Sequence, residues 1–401
     1  MKNLKVIGLV VAAAGIIFLT AKYKSGGLKR PLIFSPQFML SALWGSYKKE
    51  YFDANSGRVH DRQQNDLTTS EGQSYALLRA VWQDDKPSFD KAWEWTRQNL
   101  QKPDGSLFSW AYGQRADGTT GILTDRGGIN SASDADIDIA LALVFAGYRW
   151  QNEEYLEEAK AVINGIWERE VVEVNGKYVL ASNDVEKNFS DPVLFNPSYF
   201  APYAFRIFSR LTPQHDWQGL INSSYELLTQ SVEEKLDNKS ACGLPPDWAT
   251  IDRLTGKLEA PVGASNLSVN YGYDAMRIPF RLALDWEWFK EPRAKEFLGK
   301  MSFLGNQWKS RKQLSSVYSH ACERLSDTEA PAMYGASVGY FMTVGDPALK
   351  EFVDNKLHQL YSPDSANWIR PLSYYDSNWA WFGLALYHKQ LFDLSAEKER
   401  N

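Results

Sequence analysis

At 401 residues the chain is long enough for one large domain or two to three ordinary ones. Its composition, 44% hydrophobic and 23% charged without a low-complexity tract, is that of a soluble globular protein. The net charge of −5 argues against a nucleic-acid partner, because phosphate binding needs a basic face, and weighs against a strongly anionic glycan. The five histidines form no pair at a ligand spacing, and Cys242 and Cys322 are too far apart for a metal-ligand motif. No metal site and no cofactor is therefore expected. The two cysteines read equally well as one disulfide of an exported protein or as two core thiols. Fifteen Trp and twenty Tyr are many; burial is the ordinary use of aromatics, but flat apolar faces with polar rims also suit sugars.

In chain order, Leu4–Ala21 is apolar apart from Lys5 and Thr20. From Val6 it makes roughly sixteen helical residues, about 24 Å, short of a bilayer core of about 30 Å. Residues 1–30 read as a signal anchor or signal peptide plus a Gly26-Gly27 linker. Leu19-Thr20-Ala21 is a weak cleavage site, which favours an uncleaved anchor. Lys22, Lys24, Lys29 and Arg30 on the far side oppose a simple positive-inside orientation. The expected location is export: anchored in the inner membrane facing the periplasm or cell exterior, or secreted, with a cytoplasmic orientation third.

From residue 36 the apolar spacing is helical almost throughout, at i, i+3, i+4. It predicts helices near 36–50, 70–83, 88–100, 133–151, 153–169, 197–210, 216–233, 274–286, 292–305, 330–343, 346–360 and 376–392. Paired in sequence, these make six antiparallel hairpins. Alternating runs are few and short, such as Val171–Leu180, and Asn175-Gly176 marks a turn. No Pro- or Ser-rich linker divides the remainder, so residues 31–395 read as one catalytic domain and 396–401 as a polar tail.

Two segments place acids at helix starts. In TTSEGQSYALL, Ser70 and Gln73 match a capping box, which puts Glu71 in the first turn. In ASDADIDIALALVFAGYRW, Ser133 reads as the cap and Asp134 as the first-turn acid, with Asp136 and Asp138 behind it. The macrodipole explains one or two such carboxylates, whereas three in five residues ask for more. If the inner helices of an αα barrel run parallel, acids at equivalent starts converge on one rim. A general acid there needs a raised pKa, so apolar burial or a neighbouring carboxylate must outweigh the dipole. In NYGYDAMRIPF, Asp274 and Arg277 sit at i, i+3; the ordinary reading is a surface ion pair. Tyr271 and Tyr273 crowd that acid, and Pro279 is expected to disturb the helix within a turn. Aromatic companions are Trp110 and Tyr112 in LFSWAYG, Tyr199 in FNPSYF, Trp248 in GLPPDW, and Tyr374, Tyr375, Asp376 and Trp379 near the C-terminus.

TSEGQSYALL, LFSWAYG, NSASDADIDIA, NPSYF, PPDW and YDAMR stand in the order found in glycoside hydrolase family 8, which the chain resembles over about residues 40–390. The resemblance implies an all-α fold, an (α/α)6 barrel of six helical hairpins. It also implies inverting, endo-acting hydrolysis of β-1,4-linked polysaccharide, cellulose above all, with xylan- and chitosan-acting members. By position, Glu71 resembles the proton donor and Asp274 the general base. Asp134 resembles the acid that binds the distorted sugar, and Arg277 the residue that orients the base. Tyr273, Trp110, Tyr112, Tyr199 and Tyr375 are the expected substrate-binding side chains. Similar segments occur in bacterial enzymes encoded beside cellulose synthases, which makes an exopolysaccharide synthesis complex a candidate partner besides the polysaccharide and the membrane. Ala111-Tyr112 in FSWAYG and the MRIPF run after Asp274 depart from the family pattern. Two other functions stand beside this one. A polysaccharide lyase shares such barrels, but scarce His and an acidic triad speak against it. A non-catalytic glycan-binding protein of polymer export would have no need of all three acids.

Overall fold

The computed structural model describes residues 35–188, 191–236, 240–262 and 267–396. The N-terminal segment 1–30 and nearly all of the polar tail 396–401 lie outside the described residues. The helices are α1 (Pro36–Tyr51), α2 (Ser70–Trp82), α3 (Lys86–Asn99), α4 (Ser133–Trp150), α5 (Glu153–Arg169), α6 (Pro202–Leu211) and α7 (Trp217–Glu233). They continue as α8 (Ile278–Phe289), α9 (Pro292–Lys300), α10 (Phe303–Arg311), α11 (Pro331–Val344), α12 (Leu349–Lys356) and α13 (Tyr374–Tyr387).

Burial sorts these helices into two layers. Ile137 through Gly147 of α4 are buried without a break, and α11 and α13 are nearly as covered, so they present no solvent face. In α5, by contrast, Tyr155, Ala159, Val162, Ile163 and Ile166 make one apolar stripe. The inner layer runs α2–α4–α6–α8–α11–α13, each packed on the next. Tyr75 of α2 meets Trp379 and Phe382 of α13 edge-on, which closes the ring. Outside it, α3 leans on α2, α5 on α4, α7 on α6, α9 on α8, α12 on α11 and α1 on α13. Among the described residues five inner helices are thus followed in the chain by their outer partners, and the sixth pair, α13 with α1, joins the last helix to the first. The α11–α13 contact is close enough to need glycine: a Cβ on Gly335 would stand 2.0 Å from the Trp379 carbonyl oxygen.

Several expected boundaries move, each for a local reason. The helix predicted over 197–210 begins at Pro202, after a separate 3-10 turn at Pro197–Tyr199, since two prolines interrupt the donor series. The one predicted over 292–305 breaks at Met301-Ser302 into α9 and α10. The one predicted over 274–286 starts as a 3-10 turn, Ala275–Arg277, and becomes α-helical at Ile278. Pro279 does not disturb it; it occupies the first turn, where its missing N–H leaves no partner unsatisfied. Val171–Leu180 is a hairpin of β4 (Val171–Val174) and β5 (Lys177–Leu180), turning at Asn175 and Gly176 with positive φ. Small sheets, which the spacing underrates, decorate the connections. The one that matters for the site pairs β1 (Thr68–Thr69), β2 (Ala111–Gln114) and β3 (Thr120–Ile122), and β1 runs straight into α2.

Candidate active site

Glu71 stands in the first turn of α2, but not through the predicted capping box. Thr69 is the cap, accepting from the Gly72 N–H at 3.0 Å. Gln73 instead accepts from the Val59 N–H and donates to Thr96, tying α2 to its surroundings. The predicted Ser133 cap of α4 is likewise absent. Ala132 holds that position, and the Ser133 hydroxyl donates to the Ala181 carbonyl. Asp134 then faces the mouth of the ring.

The three aspartates of α4 do three different things. Asp134 accepts from Arg277 Nη1 at 2.7 Å. Asp136 turns outward, accepts from the Phe108 N–H at 3.0 Å and lies against Glu170. Asp138, one turn below Asp134, receives both arms of Arg281, itself one turn below Arg277. Tyr203 of α6 also hydrogen-bonds Arg281 at 3.0 Å, so a buried polar rung joins α4, α6 and α8 beneath the site.

Arg277 is the hub. Its Nη1 donates to Glu71 Oε2 at 3.0 Å and to Asp134 Oδ2, and its Nη2 donates to Asp274 Oδ1 at 2.6 Å. Ser198, in the turn before α6, accepts from Nε and Nη2, and the Tyr199 ring lies 5.2 Å under the guanidinium. The Arg277 and Asp134 side chains are 1% and 4% exposed, whereas Glu71 and Asp274 keep 24% and 32% of theirs open. The first two therefore form a floor and the second two face the cleft. Trp248 Nε1 donates to Asp274 Oδ2 at 3.1 Å. The cleft, about 300 Å³, is lined by Glu71, Asp274, Tyr273, Tyr374 and Tyr375 with Asp61 and Gln64.

Burial acts on both rim acids. Burial pushes the Glu71 carboxyl up to about 7; Arg277 opposes the rise, and Asp134 and Asp274 add to it. Burial also raises Asp274, again against Arg277. Both carboxyl groups of the rim are thus raised above the ordinary carboxylate range, each by burial and each against Arg277.

The expected aromatics divide in the same way. Tyr273 is 47% exposed, and Tyr375 donates from its hydroxyl to the Tyr273 carbonyl at 2.6 Å, with the rings edge to face. Tyr199 is buried beneath the arginine rather than offered to the cleft, and meets Trp248 edge-on. The half-buried Trp110 donates from its indole to the Gly127 carbonyl, and its own carbonyl accepts from the Ser70 N–H, beside the start of α2. Tyr112 packs its ring on Trp95 of outer helix α3 and under Arg58. Residue-by-residue reading missed Asp247, a nearly buried carboxylate whose Oδ1 accepts from the Gly272, Asp274 and Ala275 N–H groups. Burial and the charge of Asp274 push it up to about 7. Its signal was its place in PPDW, a carboxylate beside an aromatic in a proline-stiffened turn. Among the described residues no cluster of three or more His, Cys, Asp or Glu could hold a metal ion.

Fold and site together define a toroid of helical hairpins with an acidic, tyrosine-lined cleft at one mouth. Residues 31–384 match Glycosyl hydrolases family 8, and the chain belongs to that family. It is 32% identical over 297 residues to Endoglucanase A of Acetivibrio thermocellus, covering 71% of this chain and 57% of that protein. To Endoglucanase 2 of Ruminiclostridium josui it is 30% identical over 330 residues, covering 78% and 66%. These matches thus span less than two thirds of the relatives' lengths. Among solved structures it is similar to the endo-1,4-D-glucanase from Vibrio fischeri ES114, with TM-score 0.73 and 26% identity over 86% of this chain and 94% of that one. A family 8 xylanase from Teredinibacter turnerae shares the fold, with TM-score 0.66 and 20% identity over 84% and 86%.

Proposed function

We propose that this protein hydrolyses β-1,4-linked glucan at internal bonds with inversion, using Glu71 as general acid and Asp274 as general base. The observation that carries the proposal is a single buried guanidinium holding carboxyl groups from three remote segments at the mouth of one helical ring. Glu71, held up to about 7, keeps its proton at mildly acidic pH and gives it to the leaving glycosidic oxygen. Asp274, ordered by Arg277 and Trp248, takes a proton from the water that attacks the opposite face of the sugar. Glu71 and Asp274 are bonded to the two arms of one fork, so these oxygens lie at most about 8 Å apart. That ceiling reaches the lower half of the spacing of about 6.5–9.5 Å at which a water fits between the two groups and also admits the spacing of about 5–5.5 Å of a retaining pair, so the product anomer decides between the two. Asp134 on the floor binds the hydroxyls of the sugar being cleaved, and Tyr273 and Tyr375 flank its path. Relatives named endoglucanases favour glucan over xylan or chitosan.

We propose export for the same protein, with residues 1–30 as anchor. The Cys242–Cys322 disulfide supports this, since such bonds persist in oxidising compartments. Among the described residues no helix is long and apolar enough to cross a membrane.

The test is hydrolysis by the full-length protein of soluble cellulose derivatives, mixed-linkage glucan, xylan and chitosan, following reducing ends and the product anomer by NMR. The parent is expected to release α-anomeric product from the β-linked glucans. Glu71→Gln and Asp274→Asn are each expected to lower kcat by about 10³-fold or more while oligosaccharide binding persists. Normal turnover by both variants would falsify the assignment. Unsaturated ends would point to a lyase, and tight binding without turnover to a glycan-binding protein.

A further inference from the structure

Asp247 is a buried carboxylate that the proposed reaction leaves without a task. Its surroundings are unusual for the residue they serve. Asp274 stands at the N-cap position of the 3-10 turn Ala275–Arg277, where an aspartate ordinarily spends a side-chain oxygen on the free N–H groups of its own helix. Asp274 makes no such bond. Its Oδ1 is bonded to Arg277 and its Oδ2 to the Trp248 indole. Of the turn's own N–H groups, Met276 and Arg277 donate to the Gly272 and Asp274 carbonyls at 3.1 and 3.0 Å, and Ala275 donates to Asp247 Oδ1 at 2.7 Å, an oxygen that also accepts from the Gly272 and Asp274 N–H groups at 3.1 Å each.

We propose that Asp247 is a positioning residue that caps this turn from another segment and thereby leaves the Asp274 carboxylate free for the cleft. The inference rests on the reading of Asp274 as the base. Asp247 is well placed for the role because its own backbone is fixed. Its N–H donates to the Asn270 carbonyl at 2.6 Å, and the Trp248 N–H donates to Ser268 at 3.0 Å. Two adjacent residues thus hold Asp274 twice, Asp247 by the backbone and Trp248 by the side chain. The same device recurs on the rim. The α11 cap, Ala330, has no side chain that can serve, and Asp376 of α13 accepts from the Ala332 N–H at 3.0 Å. Without Asp247, the N–H groups on both sides of Asp274 lose their shared acceptor, and the backbone that aims the base at the cleft is no longer fixed.

The experiment compares Asp247→Ala, Asp247→Asn and Asp274→Asn in the full-length protein on a soluble β-1,4-glucan, with a thermal melt of each. Asp247→Ala is expected to lower kcat about 10²-fold, the scale of a 1 Å misplacement, with KM within about threefold of the parent. Asp247→Asn keeps an acceptor oxygen in place and is expected to bring kcat back to within about tenfold of the parent. Parent-like kcat in Asp247→Ala overturns the inference. So does an Asp247→Asn variant as inactive as Asp274→Asn, because the charge rather than the acceptor would then matter. Should Asp247→Ala fail to fold, the Asp247→Asn outcome decides alone. Activity in Asp274→Asn overturns the base assignment itself, whereas inactivity there with parent-like Asp247→Ala overturns this inference only.

Discussion

Glu71 sits at the positive end of a helix and against a guanidinium, both of which favour its anion, yet burial outweighs them and carries it up to about 7. The sign of the consequence follows directly. The acid must be protonated, so kcat/KM is expected to fall about tenfold per pH unit above about 7. The base must be ionised, so activity also falls on the acid side, as Asp274 is protonated. Asp134 supplies a separable check: its negative charge helps to raise Glu71, so Asp134→Asn should move the alkaline limb of the residual activity to lower pH. An unmoved limb would count against that coupling. At this scale the sequence was legible where an acid stood at a helix start and opaque where partners came from afar. Asp134, Asp136 and Asp138 look alike in the chain, but only the fold tells the acid on the floor of the site from the one beside Glu170 and the one that neutralises Arg281. Asp247 went unread because its partners are backbone N–H groups some 25 residues on, which no side-chain pattern announces.

Helices were the readable level, because burial on one stripe or on all faces leaves a period in the chain. Their ends were less so. The caps fell at Thr69 and Ala132 rather than Ser70 and Ser133, since serine hydroxyls at the first helical position had better partners or none. Close backbone approach leaves only a weaker mark, a glycine. On α11, a Cβ at Gly335 would meet the Trp379 carbonyl oxygen at 2.0 Å, and one at Gly339 would meet that of Pro279 at 2.1 Å. Neither neighbour is a flexible side chain. Gly335→Ala and Gly339→Ala are therefore each expected to destabilise by about 1–3 kcal/mol, as overpacked cores do. Gly45 in α1 provides the contrast: nothing lies within 4 Å of its added Cβ, so Gly45→Ala should stabilise by about 0.5–1 kcal/mol. Denaturant midpoints of the three variants check both signs, and a Gly335→Ala midpoint at or above the parent's would mean that α11 and α13 are not locked together as described.

Across the whole molecule, the buried acids make folding itself a proton-binding event. Glu71, Asp247 and Glu170 are each raised to about 7, and burial with the charge of Glu170 raises Asp136 as well. Unfolded, the same groups titrate near 4 to 4.5. Between those limits the folded chain holds more protons than the unfolded one, so this contribution is present at pH 4 and is lost as pH rises towards 7. Glu291 works in the opposite direction. Arg293 and Arg206 hold it at about 2, so its contribution is present above about 4.5 and disappears in acid. The raised acids outnumber Glu291, so stability declines on the alkaline side, and Tm is expected to fall by several degrees, roughly, between pH 5 and pH 8. Glu170 allows the cause to be isolated because it sits at the end of α5, behind Asp136 and away from the cleft. Glu170→Gln replaces a carboxyl that must hold or lose a proton with an amide that can donate to Asp136 at any pH. The variant should therefore show a flatter decline of Tm from pH 5 to pH 8 and a higher Tm than the parent at pH 8, with kcat unchanged. A parent and variant that lose Tm in parallel over that range would place the pH dependence in other groups.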